Sequence, residues 1–382
     1  MKTILNFISK ENISILVLVF INFLFAYKYL IRYTEIALVY SIASSLFYLL
    51  LLANSIKLKM NKKLLNFLSY GLILLFIIVS FLIFKKIEVL TLNVDRWSVI
   101  TSFWDALFNS EYPYYAKSNL GNRPGPMPIY FLLAFPFYLI KELGGFSLLG
   151  LIILPYIIGK TKASLNYKLL IIIFVITSTY YLWEIVSRSN LFTNSLLIVW
   201  FLINFIERKN NKNAAFYFSA VIAGLLLSTR AVFIIPYIIV FMYSLRKKEL
   251  TIPVFLIYTS IAVITFFLTF LPFILMYPND FFKMNPFIIQ STFLIPSYYT
   301  MLFILIAFVF SFLAENKNNL YYYSGLALFI AILIYFIYHI ITSGFNTAYF
   351  ESNADISYFI FCIPFFIIYL SNTFHDNMLK SS

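Results

Sequence analysis

Charge is what this sequence has least of. Only 11% of its 382 residues are Asp, Glu, Lys or Arg, whereas 62% are hydrophobic and 21% aromatic. Soluble domains carry about 25% charged residues, so too few charges exist here to cover a water-facing surface, and a soluble enzyme is excluded. Intrinsic disorder is excluded for the opposite reason, since it needs low hydrophobicity. Cysteine is nearly absent. The single Cys362 lies in an apolar run, so no intrachain disulfide forms and the residue reads as membrane packing. The two histidines, His339 and His375, have no cysteine at ligand spacing, which argues against a His/Cys zinc site. A glycine-rich phosphate loop of the nucleotide type is missing, as is any soluble domain to hold a nucleotide sugar. No internal repeat is apparent, which weighs against secondary transporters built from two related halves.

What is there is apolar sequence in long unbroken stretches, such as 13–26 and 64–84. A transmembrane β-barrel would show short alternating segments instead. The chain therefore reads as an all-α polytopic membrane protein. Runs of crossing length fall at 13–30, 35–54, 64–84, 145–159, 168–186, 191–206, 214–228, 231–245, 252–275, 298–314, 320–342 and 357–371, which predicts about 12 transmembrane helices. The first run follows Lys2 and Lys10 and ends in no small-residue cleavage site, so it is expected to be a retained span.

The net charge is +13, from 28 basic against 15 acidic residues. The basic residues crowd short loops: Lys57, Lys59, Lys62 and Lys63; Arg208, Lys209 and Lys212; Arg246, Lys247 and Lys248. By the positive-inside rule these loops are cytoplasmic, and the positive charge speaks for a bilayer rather than for nucleic acid. The count between them closes if 128–140, which is short for a crossing, lies in or dips into the outer leaflet. Both termini are then cytoplasmic in a multi-pass cell membrane protein. Glu35, Glu88, Asp95, Asp105, Glu111, Glu184, Asp280, Glu351 and Asp355 all fall on or near the outer face. Carboxylates do little to set topology, so this clustering points to an external polar site.

The longest connection, 85–127, is external and rich in Trp, Phe and Tyr. Loops of this length are functional or disordered, and the aromatic content argues for order. Asp95 stands just before a predicted helix over 97–108 that lies on the membrane, at a position suited to capping. Glu111-Tyr112-Pro113-Tyr114-Tyr115 follows, then Asn122-Arg123-Pro124-Gly125-Pro126-Met127-Pro128-Ile129-Tyr130-Phe131, whose Pro/Gly content predicts a rigid turn.

This order of an early span, a long external loop with an Asp near its start, a horizontal helix, a Pro-Tyr pair and a Pro-rich turn resembles the GT-C superfamily of membrane glycosyltransferases. Two further words add to the resemblance: Glu184-Ile185-Val186-Ser187-Arg188-Ser189-Asn190 at a second external loop, and Gly224-Leu225-Leu226-Leu227-Ser228-Thr229-Arg230. The likeness runs from about Leu64 to Arg230. It implies an N-terminal two-helix addition over 1–63, a GT-C-like core over 64–230 and C-terminal transmembrane helices over 231–382. It also implies transfer of a sugar from a polyprenyl-phosphate donor to an extracytoplasmic glycan, lipid or protein. Some members carry paired acidic residues at the second loop. Arg188, Ser189 and Asn190 stand there instead, so a divalent metal has no paired acidic motif behind it and no residue is assigned to one.

The chemistry of each residue can be stated separately. Asp95 is the candidate base that takes the acceptor's hydroxyl proton as the sugar leaves phosphate with inversion; its bland alternative is a helix cap. Arg188 and Arg230 are candidate phosphate partners or interfacial anchors. Glu184, at the end of a span, is a functional candidate or a partner of Arg188 one turn on. Arg96, Glu111, Tyr114, Asn122, Arg123 and Asn190 complete the candidate substrate and phosphate site, with Asp105 as a further acid. Asp280, Lys283, Glu351 and Asp355, on later external loops, are candidates for acceptor or sugar hydroxyls. The competing functions are a transporter or flippase of lipid-linked saccharides, a polysaccharide polymerase, and a non-enzymatic subunit of an export assembly.

Overall fold

The computed structural model describes residues 9–53, 60–208, 213–293 and 295–379. Lys2, Lys57, Lys59, Lys209 and Lys212, which entered the topology reading, lie outside the described residues. The described chain is all-helical, with no β-strand. In chain order the α-helices are α1 (Lys10–Leu30), α2 (Ala37–Leu52), α3 (Lys62–Lys86), α4 (Arg96–Phe108), α5 (Pro128–Leu139), α6 (Gly144–Gly159), α7 (Leu165–Thr177), α8 (Thr179–Ser187) and α9 (Leu191–Arg208). They continue as α10 (Ala214–Leu227), α11 (Ile234–Arg246), α12 (Ile252–Leu268), α13 (Leu271–Met276), α14 (Pro278–Lys283), α15 (Pro286–Phe293), α16 (Tyr298–Leu313), α17 (Lys317–Ser343) and α18 (Ile363–Leu379).

Six of the described helical segments are long and apolar enough to cross a membrane, or up to eight if two sharply bent pairs each count as one span. The first bent pair is α5 with α6, which meet at 109°. Pro128 opens α5 where its missing N–H costs nothing, and Lys141 just beyond its end adopts φ 57, which turns the chain sharply. The stretch 128–140 is therefore not collinear with the helix after it. The second pair, α7 with α8, bends by 52°. Ser178 is extended at the joint, and the freed amide of Thr179 donates to Asn22 Oδ1 of α1 at 2.8 Å.

The apolar side chains form two clusters. The larger joins α1, the helices from α6 to α11 and the C-terminal pair α17–α18. The smaller is a cap built from α4, the 112–114 segment, α5 and residues 270–289, centred on Phe103 stacked against Phe131 at 3.6 Å between ring centroids. Helices α3 and α12 leave most of their apolar surface outside both clusters, as lipid-facing helices do, whereas α9 and the span 356–374 are mostly buried.

The two N-terminal helices are woven into the larger cluster. Besides Asn22, the Leu24 carbonyl accepts from Tyr349 Oη at 2.6 Å, Tyr48 Oη donates to the Thr177 carbonyl at 2.7 Å, and the Leu52 carbonyl accepts from Tyr167 Oη at 3.1 Å. Helix α1 therefore stands at a fixed place beside residues from the opposite end of the chain.

Candidate active site

The second half of loop 85–127 is tied by hydrogen bonds to later segments of the chain. The Pro-rich strip pairs with the segment that carries Arg230: the amides of Met127 and Ile129 donate to the carbonyls of Thr229 and Ser228 at 3.3 and 3.0 Å. Gln290 Nε2 donates to the Gly125 carbonyl at 2.7 Å, and Tyr112 Oη to the Met284 carbonyl at 2.6 Å. Residues 118–122 form a tight turn in which Gly121 takes φ 80, a left-handed conformation that glycine adopts without strain.

That turn aims two donors at Asp95. Asn122 Nδ2 lies 2.7 Å and Ser118 Oγ 3.0 Å from Asp95 Oδ2. The alternative role of the Asp95 carboxylate, a cap on α4, does not occur: Asp95 occupies the cap position but makes no side-chain cap bond. Its backbone, at ψ 11, is not in the extended conformation that a capping Asp uses. The carboxylate is turned to the loop instead, both donors engage one oxygen, and Oδ1 accepts no hydrogen bond among the described residues.

Asp95 lines a cavity of about 820 Å³ at the seam between the two apolar clusters. Arg96, Asn122, Arg123 and Arg230 line it as well, so half of the sequence-assigned site residues converge there. Arg230 is 8% exposed and lies over the Tyr130 ring at 4.8 Å. Its Nε and Nη2 are buried with no hydrogen-bond partner among the described residues. Arg123 stands over Tyr115 at 5.7 Å. One wall of the cavity is apolar, made by Ile289, Ile295, Phe303, Ala331 and Ile332.

Arg96 is committed within the protein. Its Nη2 pairs with Asp355 Oδ2 and donates to Ser357 Oγ at 2.9 Å. The Asp355 amide in turn donates to Tyr335 Oη at 2.9 Å. Burial raises the Asp355 carboxyl, but the Arg96 guanidinium, the Ser357 hydroxyl and amide, and Lys28 outweigh it and hold its pKa below the ordinary value. The same pairing raises Arg96 against its burial. Arg96 therefore links loop 85–127 to the C-terminal third of the chain.

The remaining sequence-assigned residues do not line the cavity. Glu184 is fully buried, and its carboxylate caps α9: it accepts from the amides of Leu191 at 2.6 Å and Phe192 at 3.1 Å, and from Ser189 Oγ at 3.1 Å. Arg188 does not pair with Glu184. It takes φ 53 at the end of α8, donates to the carbonyls of Phe84, Ile87 and Val186, and meets Glu142 at 3.5 Å. Its side chain thus closes the C-terminus of α3, whose last carbonyls lack helical partners. Asn190 is buried and accepts from Asn194 Nδ2 at 3.0 Å. Tyr114 is buried in the cap against Phe103 and Phe273. Glu111 is exposed at the edge of that cap, and Asp105 accepts from Tyr138 Oη at 2.6 Å on the protein surface.

The structure also brings in residues that the sequence did not assign to the loop site. Lys28 and Tyr29 arrive from α1, Trp183 from α8, and Tyr335 and Tyr358 from the C-terminal third; Asp355, expected on a later loop, joins them. Lys28 carried one available signal, a cation inside an apolar helix. Among the described residues no group of three or more His, Cys, Asp and Glu side chains gathers as a metal site. Asp95 and Asp355 both line the cavity, yet Asp355 is engaged by Arg96 and Ser357. The chain matches no protein-family model, no curated protein and no solved structure.

Proposed function

We propose that this protein is a membrane glycosyltransferase of the GT-C type. It moves a sugar from a polyprenyl-phosphate donor to an extracytoplasmic glycan, lipid or protein acceptor, with inversion. On this reading the chain crosses the membrane 12 times, α5 dips into the outer leaflet, both termini are cytoplasmic and the cavity opens on the outer side.

One observation carries the proposal: a single cavity holds the Asp95 carboxylate, with an unengaged oxygen, and the buried, unpartnered donors of Arg230. Unpaired guanidinium donors out of reach of water are costly, and an anionic ligand oxygen relieves that cost by charge-assisted bonds. The apolar wall beside them suits the lipid tail of the same ligand. In the reaction the acceptor hydroxyl attacks the anomeric carbon while its proton passes to Asp95. The bond from that carbon to the phosphate oxygen breaks, and the electron pair remains on the phosphate beside Arg230. Ser118 and Asn122 hold the Asp95 oxygen that accepts no proton, which fixes the direction of the other.

A transporter places its charges at mid-membrane on broken helices. Here Lys28 lies in the last turn of α1, and Arg96 and Asp355 lie outside the apolar helices, which favours the enzyme over the transporter. The test is transfer of radiolabel from a polyprenyl-phosphate sugar by purified protein in bilayers. Asp95→Asn is expected to lower the rate by roughly 10² or more, while Asp105→Asn stays near the wild-type rate. Full activity of Asp95→Asn overturns the catalytic assignment, and absence of transfer by the wild-type protein with any lipid-phosphate sugar overturns the enzyme.

A further inference from the structure

Lys28 is a charge without an assigned purpose. It sits in the last turn of α1, is 1% exposed and lines the cavity. Its ammonium lies between two rings, 5.8 Å from the centroid of Tyr29 and 5.6 Å from that of Tyr349. Among the described residues it makes no hydrogen bond and no ion pair. Asp355, the carboxylate whose charge reaches it, is already used on both oxygens: Oδ2 pairs with Arg96, and Oδ1 accepts from the Ser357 amide at 2.9 Å. Nor does α1 move freely to carry the ammonium to water, because Asn22, Leu24 and the Tyr349 hydroxyl tie it to its neighbours. An ammonium that lines a cavity without a protein partner is stabilised by an anion bound there.

The charge of the cavity says what that is. Its lining has four cations, Lys28, Arg96, Arg123 and Arg230, against two carboxylates, Asp95 and Asp355. Two positive charges are left over. A sugar phosphodiester bears one negative charge. The phosphomonoester left after transfer bears nearly two at neutral pH, since its second pKa is about 6. Counted with both carboxylates ionised, as before Asp95 takes a proton, the surplus matches the dianionic monoester better than the monoanionic diester. Interactions that strengthen as charge develops are those that accelerate a reaction.

We infer that Lys28 is a catalytic residue that binds the second negative charge appearing on the leaving phosphate, in the cavity that Arg230 also lines, so that the N-terminal helix is part of the active site. The inference rests on the proposed lipid-phosphate donor. As the bond between the anomeric carbon and the phosphate oxygen breaks, its electron pair stays on that oxygen, and the Lys28 ammonium donates to the oxygen without giving up its proton.

The test is calorimetric binding to purified protein at pH 7.5 of two probes, a polyprenyl monophosphate and its methyl phosphodiester. The wild-type protein should bind the monophosphate about tenfold more tightly or better, as one added charge-assisted hydrogen bond provides. Lys28→Gln should lose most of that preference while still binding the diester, and Lys28→Arg should keep it. An unchanged preference in a monodisperse Lys28→Gln protein overturns the inference and leaves the lipid-phosphate site standing. Equal affinity of the wild-type protein for both probes overturns it without any variant. Failure of the wild-type protein to bind either probe overturns the inference and the proposed donor together.

Discussion

A carboxylate with no exposure at the end of an apolar helix is tolerable only when its oxygens are fully engaged. Glu184 meets that condition with two backbone amides of α9 and the Ser189 hydroxyl, at the helix end where the macrodipole favours negative charge. Its role is to fix the turn between α8 and α9, and Arg188 does the same for the end of α3. Glu184→Gln places an amide group against donors that need an acceptor. It should destabilise the protein by about 1–3 kcal/mol, read as a lower unfolding temperature in detergent, with donor affinity unchanged in the folded fraction. Weakened donor binding at unchanged stability would return Glu184 to the binding site. The contrast with Arg230 is instructive. Both are buried polar groups near helix ends, but every Glu184 oxygen is answered by the protein, whereas Arg230 Nε and Nη2 are not. Sequence alone treats the two alike, because spacing and depth do not reveal which way a side chain turns.

At the scale of elements, Arg230 is placed by the packing of α10 on α12. Gly224 lets the two helices touch: a Cβ there would stand 2.2 Å from the Ala262 carbonyl oxygen and 2.8 Å from Thr265 Cβ. The contact continues at the end of α10, where the hydroxyls of Ser228 and Thr269 bond at 2.8 Å. Ser228 and Thr229 then accept from the Pro-rich strip of loop 85–127. The word from Gly224 to Arg230 is thus a packing position, a joint to the loop and a cavity cation in succession. Gly224→Ala should separate the helices at a cost of about 1–3 kcal/mol and weaken lipid-phosphate binding along with it. A variant as stable as the wild-type protein in thermal unfolding would show that the helices absorb the extra carbon. Loop and helix were both legible in advance, the helix from its apolar run and the loop from its Pro, Gly and aromatic content. The backbone pairing between them was not, since nothing in either segment names its partner.

Over the whole molecule, the apolar runs foretold the helices because a bilayer permits no other way to satisfy the backbone of a spanning chain. The bend at Ser178, inside the run read as one span over 168–186, was harder to see, as the residue is neither a proline nor a glycine. The cavity was half legible. Asp95, Arg96, Asn122, Arg123 and Arg230 share the resemblance region, but Lys28 and Asp355 come from opposite ends of the chain and meet only through the packing of α1 on the C-terminal third. Sidedness can be tested directly. Cysteine at Asn119 should react with a membrane-impermeant maleimide added outside intact cells, whereas cysteine at Glu315 should not; the native Cys362 is fully buried. Labelling of the Glu315 position would invert the topology and move the cavity to the cytoplasm. The central claim, that this cavity receives a lipid phosphate for glycosyl transfer, meets its most direct test in a cryo-EM map of the protein with a polyprenyl monophosphate bound. The account predicts phosphate density within hydrogen-bond distance of Arg230 Nε and Nη2, with the chain of the lipid running along Ile289, Phe303 and Ile332. Phosphate density elsewhere on the protein, with these donors still unpartnered, would contradict it.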